Sequence, residues 1–319
     1  MIALEAKACA VTGGAGFIGS HICETALSQG IRVVAIDNFK SGYRDNIAHL
    51  LDDPNFQLIE ASVTDMTAME KALKGVDVVF HNAASKNTVC LSDPATDLDV
   101  NAWGAWTVAE ASRRQGVKKV VHASTGSVYG ELSGDRQDEE HPKRPVSFYG
   151  VSKLAGESYL RAFANYYAGF RYSVIRYFHV FGPRQEYRPG GGVIPIFISQ
   201  VIHGRPLTIY GDGSQVRSFT YVADDVQANF LLANSNEADG EAFNAASGIR
   251  VSILELAQAI RRLMGAEDIP ILFEDWRPGD IREFNVEVSK LRTLGAHEPT
   301  SFETGLSLTI DWYRQYLSG

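Results

Sequence analysis

ACAVTGGAGFIG, residues 8–19, is an apolar run that breaks into three glycines spaced by two residues and continues as a helical pattern. The spacing Gly13-x-x-Gly16-x-x-Gly19 between a strand and a helix suits a turn that takes a pyrophosphate. Gly13 allows the tight turn, Gly16 lets backbone approach the phosphates, and Gly19 lets the helix pack closely on the sheet. The phosphates then sit at the positive end of that helix. A glycine trio alone also fits an ordinary turn. What sharpens it is the next strand, which closes in VVAIDN with Asp37, 18 residues after Gly19. A carboxylate there accepts both ribose hydroxyls of adenosine and repels a 2′-phosphate, so the expected cofactor is NAD and not NADP.

Outward from this turn, short β-branched runs alternate with helical patterns. Residues 8–12, 32–36, 56–59, 76–82, 119–123 and 172–177 read as buried strands, with helices near 18–29, 67–73, 103–115 and 151–167. Continuous apolar strands alternating with helices argue for a parallel sheet covered on both faces, and right-handed crossovers make it doubly wound. The expectation is an α/β fold: a Rossmann-type doubly wound parallel sheet over residues 1–178, then a smaller C-terminal α/β substrate domain over 179–319, with a return to the sheet around 220–250. The boundary falls near GPRQEYRPGGGVIP (182–195), which holds three prolines and four glycines in fourteen residues.

The 319 residues are 45% hydrophobic and 21% charged, a globular balance that excludes disorder. No apolar run nears the roughly 20 residues of a membrane span. The start, MIALEAKACAVTGG, lacks the basic head and long apolar core of a signal peptide. Lys and Arg total 30 against 38 Asp and Glu, and the net charge of -8 repels nucleic acid and anionic lipid. Cys9, Cys23 and Cys90 lie far apart without CxxC spacing, so neither a disulfide framework nor a metal site is expected. A cytoplasmic protein with no nucleic-acid or membrane partner is the expectation.

The segment SFYGVSK places Tyr149 and Lys153 four residues apart on one face of a helix. A phenol near pKa 10 is no base at neutral pH until its anion is stabilised, and a neighbouring ammonium and a positively charged nicotinamide do this. Bringing it to about 7 takes roughly 4 kcal/mol. The strand at 119–123 ends in Ser124-Thr125-Gly126-Ser127, which puts hydroxyls at the carboxyl edge of the sheet, where open α/β sheets bind their ligands.

With TGGAGFIGSH, Asp37-Asn38, HNAA (81–84), STGSVYG (124–130) and YGVSK in that order, the chain resembles the extended short-chain dehydrogenase/reductase superfamily. Within it, the resemblance is to the NAD-dependent nucleotide-sugar epimerase/dehydratase branch. RYFHVFGPRQ (176–185), IYGDG (209–213), Arg217 with FTYV, and RPGD (277–280) extend the likeness over nearly the whole chain. The resemblance implies that Thr125 and Tyr149 contact the sugar 4-hydroxyl, that Tyr149 takes its proton while hydride leaves C4, and that Lys153 holds the nicotinamide ribose. To the cofactor side it adds Phe17, Ile18, Asn38, Ser41 and Gly42, then Ser62, Val63, Ala83, Ala84, Lys86 and Tyr177. To the substrate side it adds Lys86, Ser127, His179, Arg184 and Val193. There it also implies Tyr210 stacked on uracil, Arg217 and Arg277 clamping the diphosphate, and Asp280 on the nucleotide ribose.

Similar dehydratases carry an Asp-Glu pair after the threonine, and uronate decarboxylases a glutamate, whereas this chain has Gly126 and Ser127. No evident acid/base is left for elimination at C5/C6. Oxidation at C4, rotation of the 4-keto sugar and return of hydride to its other face remain, which is a 4-epimerase that regenerates NAD in each turnover. Three residues depart from the family pattern. His179 stands for a diphosphate-contacting asparagine and would make that contact sensitive to pH near 6.5. Ser62 stands for an aspartate on adenine, and Ser218 for the aspartate after the clamp arginine. Phe284 falls at a gate where a bulky aromatic excludes N-acetyl groups, so UDP-glucose/UDP-galactose is the first expectation. A UDP-glucuronate 4-epimerase is the alternative, since Thr125, Ser127 and Arg184 together suit a C6 carboxylate. A dehydratase or decarboxylase with relocated groups and a non-catalytic NAD(H)-binding regulator are the other readings. The helices at 103–115 and 151–167 correspond to those that pair in family dimers, with Tyr159, Phe163 and Tyr166 spaced for one face. A homodimer is expected.

Overall fold

The computed structural model describes residues 1–85, 87–130, 136–276 and 285–318, so Lys86, Arg277, Asp280 and Phe284 lie outside the described residues. The strands are β1 (Ala8–Thr12), β2 (Arg32–Asp37), β3 (Phe56–Glu60), β4 (Val78–His81), β5 (Lys119–Thr125), β6 (Tyr172–Tyr177), β7 (Val180–Phe181), β8 (Leu207–Tyr210), β9 (Val216–Ser218), β10 (Thr220–Tyr221), β11 (Ala242–Ala245), β12 (Arg250–Ser252) and β13 (Ile271–Glu274). Seven of them form one parallel sheet in the order β11-β6-β5-β4-β1-β2-β3. The chain reverses its direction of travel across the sheet between β1 and β4. A crevice opens there at the strands' carboxyl ends.

Alternating side chains explain why both faces are covered. In β2, Val33 and Ala35 pack on one side with Val11, Phe80, Ile175 and Phe230, beneath helices Phe17–Ser28 and Val222–Asn234. Val34 and Ile36 face the other way, onto Val79, Val108, Leu160 and Phe163, beneath helices Met66–Ala72, Gly104–Gln115 and Phe148–Tyr166. Burial on both faces accounts for the unbroken apolar runs. After β6 the chain builds a separate core around Phe197, Ile209, Leu256, Ile260, Leu306 and Tyr313. There the pairs β7–β10, β9–β12 and β8–β13 and the helices Val193–Ile202, Ile253–Met264 and Phe302–Ser318 assemble. Helix Val222–Asn234 and β11 carry the chain back to the large sheet.

Some element ends differ from the sequence reading. The helix expected at 103–115 is preceded by a π turn, Asp99–Trp103. The one expected at 151–167 starts at Phe148, because Ser147 Oγ accepts the Gly150 N–H at 3.1 Å and caps it there. Tyr159, Phe163 and Tyr166 lie on one side of that helix, with Phe163 buried against Trp106 and Phe170 while Tyr159 and Tyr166 are exposed. Among the described residues no helix is long and apolar enough to cross a membrane.

Candidate active site

Gly13 turns the chain with φ +68, and a Cβ there would lie 2.8 Å from the Ala83 backbone nitrogen. At Gly19 the added atom would lie 2.1 Å from the Gly13 carbonyl oxygen, so the helix sits too close for any side chain. That helix begins at Phe17 and points its N-terminus into a cavity of 610 Å³, which Gly13, Gly16 and Phe17 help to line. Its first N–H groups have no partner within the helix and suit an anion. Asp37, the last residue of β2, is buried at the cavity wall beside Asn38, Ser41 and Gly42. Its Oδ2 accepts the Ala15 N–H at 2.9 Å and its Oδ1 the Phe39 N–H at 2.8 Å. Burial holds its pKa above the ordinary carboxylate value, and these backbone bonds offset part of the rise. Ser62, Val63, Ala83 and Ala84 line the same space.

This donor set fits NAD: a glycine turn and helix end for the pyrophosphate, and a fixed carboxylate for a ribose. Four expected cofactor contacts, Ile18, Tyr149, Lys153 and Tyr177, lie off the cavity wall. Ile18 packs into the core. The Tyr177 hydroxyl donates to Asn82 Oδ1 at 3.2 Å and accepts from Asn229 Nδ2 at 2.7 Å, and Asn82 in turn lines the cavity.

Thr125 ends β5 beside Tyr177 of β6. Its Oγ1 accepts the Ser127 N–H at 3.2 Å and donates to Ser127 Oγ at 3.3 Å. Tyr149, half-buried in the first turn of its helix, is pushed up to about 12 by burial and then by Asp97 and Cys90, while a hydrogen bond with Thr125 pulls it down. Lys153 is buried one turn on. Burial pushes it down to about 8, against the pull of Glu157 and Asp97. Glu157 is itself engaged by Arg176, with Nε at 3.0 Å and Nη2 at 2.6 Å, and by the Ser124 hydroxyl. The structure therefore brings Thr125, Ser127, Tyr149 and Lys153 together. It also gives Gly126 a reason: a Cβ there would lie 2.3 Å from Cε1 of Phe178.

On the substrate side, His179 adopts φ 42 and its ring meets Phe219 edge-on at 6.0 Å. Burial first and then the Arg217 guanidinium push it down to about 3, so the titration near 6.5 expected from sequence does not arise in this environment. Arg217 is buried in β9, Tyr210 ends β8 and Val193 opens its helix. Ser218 Oγ accepts the Gly248 N–H at 3.2 Å, a loop tie in place of an acid. Arg184 sits elsewhere. Its Nη1 donates to Ser20 Oγ at 3.2 Å and its Nη2 to Glu24, and it lines the cofactor cavity. The structure does not group it with Thr125 and Ser127. Sequence reasoning missed Tyr43 and Glu186, which both line the cavity, are hydrogen-bonded to each other and are 143 residues apart. All three cysteines are buried without a disulfide, and among the described residues no cluster of His, Cys, Asp and Glu would hold a metal.

Comparison with known proteins agrees with this geometry. Residues 9–246 match the model of the NAD dependent epimerase/dehydratase family. The UDP-glucose 4-epimerase of Mycolicibacterium smegmatis is 36% identical over 309 residues, covering 95% of this chain and 97% of its own. The solved UDP-N-acetylglucosamine 4-epimerase of Methanobrevibacter ruminantium, in complex with UDP-N-acetylmuramic acid, is 35% identical with a TM-score of 0.92, covering 97% of this chain and 99% of its own. The UDP-glucuronic acid 4-epimerase of Bacillus cereus, solved with UDP-glucuronic acid and NAD, is 31% identical with a TM-score of 0.89 and the same coverage, 97% and 99%. By its sequence, its sheet and its glycine turn, the chain belongs to the NAD dependent epimerase/dehydratase family, with NAD as its cofactor.

Proposed function

We propose that the chain is a UDP-sugar 4-epimerase that inverts C4 through a transient 4-keto sugar, with UDP-glucose/UDP-galactose as its substrate pair. The observation that carries the reading is the end of β5. A hydroxyl pair and a Tyr–Lys pair converge there, and Phe178 fills the place where an acid after Thr125 would stand. Bound NAD supplies a hydride acceptor and donor. Tyr149 takes the 4-hydroxyl proton and returns it, Thr125 orients that hydroxyl, and the Lys153 ammonium favours the phenolate. Asp37 holds the adenosine ribose, Gly13 and Gly16 admit the pyrophosphate, and His179 and Arg217 face the substrate diphosphate with Tyr210 on the base. The large sheet, residues 1–178 with the return at 220–250, holds the cofactor, and the rest holds the nucleotide sugar.

A second reading, a UDP-glucuronate epimerase, draws on the Thr125–Ser127 hydroxyls but loses Arg184 to Glu24 and Ser20. A cytoplasmic homodimer belongs to the proposal. Trp103, Val151, Tyr159 and Tyr166 are exposed on its helices and support it. Incubation with UDP-glucose, UDP-N-acetylglucosamine and UDP-glucuronate separately, read by proton NMR without added NAD, tests the function. UDP-galactose from UDP-glucose is the expected result. A 4-keto-6-deoxy product, or no epimer of any of the three, refutes it.

A further inference from the structure

The cofactor cavity has two walls that come from distant parts of the chain. One is the sheet edge with Asp37, Gly42 and Tyr43; the other is the loop of Arg184, Gln185 and Glu186 that follows β7. One side-chain bond bridges them, and a second set of ties fastens the loop to the first helix. The Tyr43 hydroxyl donates to Glu186 Oε2, whose other oxygen accepts the Arg188 N–H at 3.0 Å. The Arg184 guanidinium reaches Glu24 on the first helix, and the Pro183 carbonyl meets His21 Nε2 at 2.9 Å. Each side of these ties is anchored. The Tyr43 N–H donates to the Ala15 carbonyl at 3.0 Å, inside the glycine turn. In the loop, the Tyr313 hydroxyl donates to the Gln185 carbonyl, and Gln185 Nε2 donates to the Val180 carbonyl at 2.8 Å.

An epimerase has a particular need here. Its cofactor is reduced and reoxidised within one turnover, so the cofactor must stay while sugars come and go. We infer that Tyr43–Glu186, backed by Arg184–Glu24, is a clasp across the cavity that retains NAD between turnovers. The inference rests on the epimerase reading for its purpose but is tested without any sugar.

The full-length protein is loaded with NAD, desalted, and followed for NAD released into a filtrate. Tyr43→Phe keeps the ring and removes only the hydroxyl; Glu186→Ala removes the acceptor. Each is expected to release NAD about five- to tenfold faster, the effect of losing one ordinary hydrogen bond at an exposed site. The Tyr43–Glu186 bond is lost in all three, and Glu186→Ala also frees the Arg188 N–H, so the double variant is expected to match Glu186→Ala, with nothing added by Tyr43→Phe. Release from Tyr43→Phe at the wild-type rate overturns the clasp, and so do single effects that multiply in the double variant. Wild-type protein that takes up no NAD overturns the cofactor assignment together with the clasp. Rapid NAD loss from the variants alongside a wild type that epimerises nothing leaves the clasp standing and refutes only the activity.

Discussion

Gly126→Ala puts the reading of the β5 terminus at risk. The new methyl carbon would lie 2.3 Å from Cε1 and 2.8 Å from Cδ1 and Cζ of Phe178. Carbon atoms rest at about 3.5–4.0 Å, so the ring must retreat by more than about 1 Å. It has little room. Phe178 is buried, stacked on Tyr129 with centroids 6.3 Å apart, in a cluster with Val128 and Val286. Tyr129 in turn is held by Asn244 Oδ1 at 2.6 Å and Arg176 Nη1 at 2.8 Å. Overpacking of this kind costs about 1–3 kcal/mol, and the rigidity of the neighbours argues for the upper end. For a chain of this size that lowers Tm by roughly 1.5–4.5 °C. Phe178→Leu opens the space, so in the double variant the alanine should cost at least about 1 kcal/mol less than it does alone. Urea and thermal melts of the four proteins decide it. A Gly126→Ala protein as stable as wild type, or strict additivity with Phe178→Leu, would refute the argument that this site admits only glycine. The same overlap means that Asp and Glu placed at 126 and 127 together yield no dehydratase product while Phe178 remains.

Tyr149→Phe is expected to lower epimerisation by about 10²–10⁴-fold with NAD content unchanged, as NMR conversion and released NAD would show; equal loss of both would make Tyr149 a structural residue. Lys153 titrates at about 8 in the folded chain against an ordinary 10.5, so the unfolded chain binds the extra proton, stability rises between those pH values, and the cost is complete below about 8. Lys153→Met should therefore stabilise the cofactor-free protein at pH 7 by up to about 3 kcal/mol while abolishing activity, and a Tm difference from wild type that does not shrink between pH 8 and 10 would contradict this. Glu157→Gln leaves the Arg176 guanidinium buried beside a neutral partner and should cost about 3–5 kcal/mol in urea unfolding; a change below 1 kcal/mol would show that the pair does not matter to stability.

The sheet was legible because its signal is local. The run from Val33 to Ile36 is apolar on both faces, as a strand covered on both sides requires. The glycine turn was legible for the same reason: φ +68 at Gly13 and the contact at Gly19 fall within one twelve-residue stretch. Arg184 was placed by resemblance on the sugar, and its actual partners, Ser20 and Glu24, lie at least 160 residues away. A pairing of that separation leaves no periodicity to read. The same holds for Tyr43 with Glu186, two residues that would each pass alone for solvated surface. His179 shows a different limit. Its identity suggests a titration near neutrality, but the charge it can carry is set by burial and by Arg217, both tertiary facts.

Burial drives Tyr149 and Lys153 toward their neutral forms from opposite sides, the phenol up and the ammonium down. As the pair stands, it is a poor base. Bringing the phenol from about 12 to 7 requires roughly 7 kcal/mol of preference for its anion. An ammonium at about 5 Å in an effective dielectric near 20 supplies roughly 3 kcal/mol, and only while it stays protonated. The hydrogen bond with Thr125 is already contained in the value of about 12. The chain's own groups thus fall short by about 4 kcal/mol, and the deficit has the sign that a further cation beside the phenol would fill. On the proposed reading that cation is oxidised nicotinamide, so the base is strong only when a hydride acceptor is in place. Burial, which at first sight works against catalysis, is then what prevents Tyr149 from taking a proton before the paired hydride transfer can follow.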